Sequence, residues 1–264
     1  MVLRGRDREA VGMNPLGAAT GLFTVIPVRP FDVDRGTARR AMAGFPWLGL
    51  LIGAAAGGVL WGAWHLAGPL LGAMLGLAVV AAVTGALHLD GVADTADGLG
   101  SRRPPEEALR IMRKSDVGPM GVAVLVLVLL VDAAALASMP DALLGAVALA
   151  GAAATGRLAV TLATTSHRSA RAEGFGALFV GVTRPVTAAL TAAAVGVVIL
   201  GAAWWVGGLG AALAAGIGLA AASLVGALWA WHLLRRLGGW TGDTFGSLIE
   251  VTQLVFLVAF ALAT

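Results

Sequence analysis

The chain has 264 residues, of which 58% are hydrophobic and only 12% charged, with a formal net charge of +3 and no cysteine. A composition this apolar is far from that of a soluble domain and predicts a helical membrane protein. The lack of cysteine excludes disulfides, cysteine-ligated zinc and thiol catalysis.

The N-terminal segment, residues 1–45, is basic and broken by prolines, which predicts a cytosolic or interfacial stretch. Within it, the apolar run 13–28 is too short to span a bilayer and favours an interfacial or re-entrant helix. The rest of the chain, 46–264, contains seven runs of roughly 20 apolar residues. These predicted spans are 46–65, 69–88, 118–139, 141–164, 185–206, 209–234 and 248–263. The chain is thus predicted to be an all-α, polytopic integral membrane bundle forming one domain over 1–264.

Lysine and arginine segregate to alternate connections between these spans. All but Arg157 lie before the first span or in three connecting loops, 89–117, 165–184 and 235–247. The turns near Pro69, Pro140 and Gly208 contain none. By the positive-inside rule, this asymmetry places the N-terminus and the three loops in the cytoplasm and the protein in the cytoplasmic (inner) membrane. The basic character therefore indicates contact with a lipid bilayer, and no nucleic-acid partner is predicted.

Three carboxylates follow the second predicted span, in the segment 88–100, HLDGVADTADGLG. On a helix, Asp90, Asp94 and Asp97 would share one face within an arc of about 60°. Two such charges about 6 Å apart repel by about 3 kcal/mol at an effective dielectric of 20. A divalent cation would relieve that cost. Gly91 and Gly98 form a bare stripe beside the acids, where a ligand or a second helix can come close.

A second acidic pair lies in the last loop, in the segment 238–250, GGWTGDTFGSLIE. Asp243 and Glu250 are seven residues apart and would share a helix face, with Glu250 just inside the last span. An ionisable residue at that depth needs a partner or a function. Both acidic clusters face the cytosol, so they can converge on one or two hard cations. Carboxylate ligands favour Mg²⁺, or alternatively Mn²⁺, over Zn²⁺.

Each of these signals also has a structural interpretation. The three aspartates could form a solvated loop with a helix N-cap. Arg110, Arg113 and Lys114 form a basic helix face that could pair with Glu106 and Glu107 next to it. The remaining basic residue, Arg157, could extend to the cytosolic surface or neutralise a carboxylate or phosphate at the site.

The segment 90–100, DGVADTADGLG, resembles the signature of the cobalamin synthase family, the adenosylcobinamide-GDP ribazoletransferases. The segment 45–53, FPWLGLLIG, is similar to that family's motif at the start of the first span. Further likenesses follow in order: 108–115, ALRIMRKS, with Gly118 and Gly121 after it, then 170–176, ARAEGFG, and 238–250. Lys114 and Asp116 depart from the charges that many members carry. The resemblance extends over nearly the whole chain from about residue 14.

This resemblance implies a Mg²⁺-dependent transfer at a pyrophosphate. The cobinamide phosphate of adenosylcobinamide-GDP passes to α-ribazole or its 5′-phosphate, GMP leaves, and adenosylcobalamin or its 5′-phosphate forms. Metal ions and cationic side chains neutralise phosphate charge in such transfers. The predicted catalytic residues are Asp90, Asp94, Asp97 and Asp243, and the predicted metal ligands are the same four with Glu250. The predicted phosphate-binding residues are Arg110, Arg113, Lys114, Arg157 and Arg171.

Two rival functions fit parts of the sequence. A membrane alcohol phosphotransferase of lipid synthesis also places spaced aspartates at a helix end, but its usual Ala-Arg after Asp-Gly is missing here. A cation-coupled transporter would use the acids as an ion site, although such sites are expected near the bilayer midplane. The sequence leaves open whether the chain forms oligomers.

Overall fold

The computed structural model describes residues 13–114, 116–166 and 168–264, and that part of the chain is helical with no strand. The predicted all-α class is therefore confirmed. Arg4, Arg6 and Arg8 of the basic N-terminal segment lie outside the described residues. The helices in chain order are α1 (Pro15–Phe23), α2 (Arg35–Ala67), α3 (Pro69–Thr84), α4 (Leu87–Gly100), α5 (Pro105–Ile111), α6 (Pro119–Ala137), α7 (Ala142–Ala163), α8 (Phe175–Phe179), α9 (Pro185–Leu237) and α10 (Gly242–Ala263).

Five of the described helices, α2, α6, α7, α9 and α10, are long and apolar enough to cross a membrane. The pair α3 and α4 passes the same test only when taken together, and it is bent by 91°. These helices confirm the polytopic membrane character of the chain. The number of crossings and their orientation remain predictions.

Helix α9 contains 53 residues, which corresponds to about 80 Å and is far more than the roughly 30 Å of a bilayer core. Gly208 interrupts it with a non-helical backbone, φ 66° and ψ −156°. The two halves then fold back on each other, because the Leu200 side chain reaches within 3.8 Å of the Cβ position of Gly216. In a straight helix those residues would be about 24 Å apart. The glycine turn matches the boundary predicted between 206 and 209.

The predicted span 69–88 is too long. Helix α3 ends at Thr84, and Gly85 and Ala86 both adopt left-handed backbone conformations, with φ of 60° and 57°. The chain turns there, and α4 starts at Leu87. As a result the three aspartates lie on a helix that runs at a steep angle to the preceding one.

The first long helix begins earlier than the predicted residue 46. The Asp34 carboxylate accepts the backbone N–H of Thr37 at 2.6 Å, and this cap starts α2 at Arg35, eleven residues before that position. Arg35 donates to the carbonyl of Val180 and Arg39 to that of Val182. The predicted N-terminal segment 1–45 therefore contains the first turns of α2, which carry basic side chains towards the α8 region.

A stripe of glycines on α2 allows close packing against α7. A Cβ on Gly49, Gly53 or Gly57 would come within 2.5–2.8 Å of α7 backbone atoms. Small residues at helix interfaces are typical of membrane bundles, since they let backbones approach each other. The nine-residue helix α1 packs against α2 in a similar way, where Gly44 leaves room for the backbone of Pro15.

The topology predicts opposite labelling of two exposed positions. The chain has no cysteine, so Arg103→Cys and Pro140→Cys each introduce a single thiol. We expect a membrane-impermeant maleimide to label position 140 from outside intact spheroplasts and position 103 only after lysis, because basic loops stay in the cytoplasm. Labelling of both from one side would contradict the predicted orientation.

Candidate active site

The contact between α4 and α10 builds the site. A Cβ on Gly91 would lie 2.6 Å from the carbonyl oxygen of Asp243, and a Cβ on Gly246 would lie 3.1 Å from the carbonyl oxygen of His88. The bare stripe seen in the sequence is thus used for a second helix, at Gly91. Gly98, further along α4, faces the side chain of Met112 instead.

This packing places two acidic clusters together. Asp90 is exposed at one end of α4, while Asp94 and Asp243 are half-buried. Asp94 interacts electrostatically with Asp90, Asp97 and Asp243, all of the same charge. Asp90 and Asp243 also line one cavity. Three of the predicted site residues, from segments about 150 residues apart in sequence, therefore share one face of the molecule.

Asp97 has a different environment from the other two aspartates of α4. One carboxylate oxygen accepts the backbone N–H of Gly118 at 2.6 Å, and the other accepts that of Gly121 at 2.8 Å. These are unpaired N–H groups at the first turn of α6, where a negative charge also meets the positive end of the helix dipole. The structure therefore gives Asp97 a capping contact that fixes α6 to α4.

The basic side chain nearest to the acids comes from the connection between α7 and α8. The strand-like segments at Ser169 and Trp240 pair with each other, with hydrogen bonds of 3.0 Å on both sides. Gly239 permits this approach, because a Cβ there would collide with the backbone of Ser169. The pairing places Arg171 next to Asp243, with Nη2 at 3.4 Å from Oδ2. Burial lowers the pKa of Arg171, and the charges of Asp243 and Asp94 partly offset that effect.

Two more arginines line a groove with Arg171, here called the basic groove, although Glu106 and Glu173 line it too. Arg110 and Arg113 line a shallow cavity together with Arg171, so three of the five predicted phosphate-binding residues lie together. Arg110 also forms a 3.8 Å ion pair with Glu107 on its own helix, as the structural interpretation expected. Both side chains are exposed, and such a pair contributes little. Lys114 is exposed at the end of this segment.

Arg157 and Glu250 lie elsewhere. Arg157 is 1% exposed inside the bundle, where its Nη1 donates to Gln253 and to the carbonyl of Ala153. Gln253 in turn donates to Glu250 at 3.4 Å. The structure does not bring Arg157 to the basic groove, and it places Glu250 about 10 Å along α10 from Asp243. It does show Glu250 fixing Arg157 through an intervening amide.

Sequence reasoning assigned no role to two further polar residues of this buried region. Gln253 follows Glu250 by three residues on α10, the spacing that puts side chains on one helix face. Asp132 on α6 is 1% exposed, and neither carboxylate oxygen has a hydrogen-bond partner among the described residues. Its isolated acidic character within an apolar span was the available signal.

An aromatic cavity of about 270 Å³ adjoins the acidic cluster. The sequence did not predict it. Its aromatic lining consists of Phe23, Phe45, Phe175, Phe179 and Phe245. These residues are spread over four helices, so no local sequence pattern links them. His88 lines the same cavity, and its Nε2 is buried without a hydrogen-bond partner among the described residues.

The donor chemistry of the acidic cluster suits a hard cation. Asp90, Asp94 and Asp243 supply only oxygen ligands. The guanidinium of Arg171 offsets part of their negative charge. Over the described ranges, however, no three acidic or histidine side chains are already grouped at metal-binding distance. Binding would therefore require side-chain rotation, including release of Asp243 from Arg171.

Comparison with known proteins gives one consistent result. The family model of cobalamin-5-phosphate synthase matches residues 15–261. An adenosylcobinamide-GDP ribazoletransferase of Frankia casuarinae is 40% identical over 91% of this chain and 92% of its own length. Proteins of the same name from Roseiflexus sp. and Citrobacter koseri are 35% and 39% identical, over 94% and 83% of this chain and 90% and 87% of theirs. No solved structure matches the chain.

A side chain at position 91 should separate α4 from α10. We expect Gly91→Val to lower the free energy of unfolding by about 1–3 kcal/mol, since the clash is with backbone that cannot rotate away. In a protein of this size that corresponds to a fall of about 2–4 °C in Tm per kcal/mol. The matched control is Gly58→Ala on α2, where the added Cβ meets nothing within 4 Å. An unchanged Tm for Gly91→Val in detergent would contradict this packing.

Thermal stability can distinguish the capping role of Asp97 from the position of Asp94 in the acidic cluster. Asp97→Asn replaces an acceptor by an N–H₂ group that faces another N–H donor, so we expect a loss of about 1–2 kcal/mol. Asp94→Asn removes a charge from among like charges, and its Tm should stay the same or rise. Thermal unfolding of both variants measures the difference. The reverse order would show that Asp97 does not anchor α6.

Proposed function

The chain belongs to the cobalamin-5-phosphate synthase family, and from that premise we infer that it acts as an adenosylcobinamide-GDP ribazoletransferase. It is a transferase of cobalamin synthesis. A ribose hydroxyl of α-ribazole, or of its 5′-phosphate, attacks the cobinamide-bound phosphorus. A new P–O bond forms to the ribose, the bond to the GMP oxygen breaks, and the hydroxyl proton passes to a base.

The packing of α4 against α10 is the observation that supports where we place this reaction. It puts Asp90, Asp94 and Asp243 on one side and the groove of Arg110, Arg113 and Arg171 next to them, joined by the Arg171–Asp243 pair. A bound pyrophosphate needs metal-binding carboxylates and cationic side chains close together, because both neutralise its charge. We place the transfer at this junction.

The acidic side of the junction is the proposed site of Mg²⁺, with Mn²⁺ as the alternative. Asp90, Asp94 and Asp243 would hold the ion, and a bound divalent cation neutralises charge on phosphate oxygens. Asp97 has both oxygens bonded to backbone N–H groups, and we assign it to fixing α6. Glu250 is assigned to the buried Arg157–Gln253 group. A carboxylate of the cluster that does not bind metal can take the proton of the attacking hydroxyl.

The basic groove binds the remaining phosphate charge. Guanidinium groups match phosphate oxygens with paired N–H donors, and Arg171 has a buried Nε without a partner among the described residues. The pair with Asp243 holds Arg171 in place until substrate arrives. Phosphate charge would then replace the carboxylate as the partner of Arg171, and Asp243 would be one of the residues that hold the metal ion.

The site is proposed to face the cytoplasm from the inner membrane, because the loops that form it carry the basic residues. The family match decides against the lipid phosphotransferase and the transporter considered from the sequence. It covers residues 15–261 in one piece and includes every segment of the site.

The function is tested by GMP release from adenosylcobinamide-GDP and α-ribazole with purified protein in lipid. We expect release that needs both substrates and stops in EDTA. Asp90→Asn and Asp94→Asn should each lower turnover about a hundredfold or more, since an amide keeps the shape but not the charge that holds Mg²⁺. Both variants should need more Mg²⁺ for half-maximal rate.

The matched control is Asp32→Asn, an exposed carboxylate before α2 that should leave turnover unchanged. Full turnover in EDTA would contradict the metal site alone. Absence of GMP release by the wild-type protein, with both substrates and Mg²⁺ present, would contradict the function.

A further inference from the structure

The aromatic cavity next to the acidic cluster is not used by the phosphate chemistry above. Its wall is continuous: the ring of Phe23 lies 4.2 Å from that of Phe45 and 5.5 Å from that of Phe179, and Phe175 lies 4.9 Å from Phe179. His88 continues the wall, 6.0 Å from Phe45. Aromatic faces at these separations favour stacking or edge contacts with another flat ring.

The size of the cavity limits its occupant. A cavity of about 150 Å³ lined by apolar side chains holds a benzene ring. At about 270 Å³, this one has room for a substituted two-ring aromatic group. A corrin is far too large to enter it.

One polar residue of the lining has a ring nitrogen without a hydrogen-bond partner among the described residues. His88 is 4% exposed, and its Nε2 has no hydrogen-bond partner among the described residues. A buried polar atom without a partner costs free energy, so a ligand towards which the imidazole can turn its N–H is favoured. Apart from His88, the polar side chains of the lining are Asp90 and Asp243, which belong to the acidic cluster.

Building on the proposed function, we propose that this cavity binds the base of the nucleoside substrate. The occupant is a flat, apolar, two-ring aromatic with a single free ring nitrogen, which accepts a hydrogen bond from the imidazole of His88. The dimethylbenzimidazole of α-ribazole has this chemistry. With the base among the phenylalanines, the attached ribose points to Asp90 and Asp243, where its hydroxyl has to lose a proton.

The other aromatic base of the reaction, guanine, fits less well. Guanine carries several donors and acceptors around both rings, and most of them would face phenylalanine without a partner. Unpaired polar groups in an apolar pocket strongly disfavour binding. The one imidazole in the lining, that of His88, matches a base with one free ring nitrogen.

The first test changes one atom of the substrate. An α-riboside of dimethylindole has carbon in place of the free ring nitrogen and otherwise keeps the shape. With wild-type protein and saturating adenosylcobinamide-GDP, we expect its KM to exceed that of α-ribazole about tenfold. In His88→Phe the two KM values should become equal, because neither base then has a hydrogen-bond partner.

The second test fills the cavity. Val160→Phe adds a ring to its wall and should raise the KM for α-ribazole at least about tenfold, while the KM for adenosylcobinamide-GDP stays the same. The control is Leu219→Phe, which fills a separate apolar cavity of about 190 Å³ lined by α7, α9 and α10 and should change neither KM.

Three results would overturn the proposal. The indole and benzimidazole ribosides could have equal KM values with the wild-type protein. Val160→Phe could raise the KM for adenosylcobinamide-GDP instead, which would assign the cavity to that substrate. It could also change neither KM, as expected for a cavity filled by lipid. In each case the wild-type protein still releases GMP, so the proposed function stands. If Val160→Phe or His88→Phe fails to fold, the wild-type comparison of the two ribosides decides.

Discussion

Close approach of helix backbones at glycine is the constraint on which this structure depends. Inside a bilayer, apolar side chains gain little by leaving lipid for protein, so helices associate through tight packing and polar contacts. The stripe of Gly49, Gly53 and Gly57 provides such packing between α2 and α7. The same principle acts where Gly91 and Gly246 bring α4 against α10, and there it builds the site rather than the scaffold.

The acids of the site are held together against their mutual repulsion. Asp90, Asp94 and Asp243 could relax apart if they lay on loops, but each is fixed to a helix whose position is set by packing. Arg171 relieves part of the repulsion in the absence of ligand. Carboxylates held this close together attract cations.

Two sets of polar contacts fix the positions of other helices relative to this site. The Asp97 carboxylate binds the first turn of α6 and so ties the acidic helix to the next membrane helix. Deeper in the bundle, Arg157, Gln253 and Glu250 connect α7 to α10 by buried polar contacts. Polar groups inside a membrane protein are costly unless they are paired, which suits them to fixing one helix arrangement against others.

The sequence by itself determined the fold class, and it predicted the acidic character of the candidate site. Apolar runs showed the membrane helices, and the spacing of Asp90, Asp94 and Asp97 showed one acidic helix face. These features are local and periodic, so they can be seen without the fold. Tertiary structure alone decided that the acidic residues have different surroundings, since Asp97 meets α6 and Glu250 points into the bundle. It also decided the bend at Gly85 and the aromatic cavity, because each depends on which distant segments pack together.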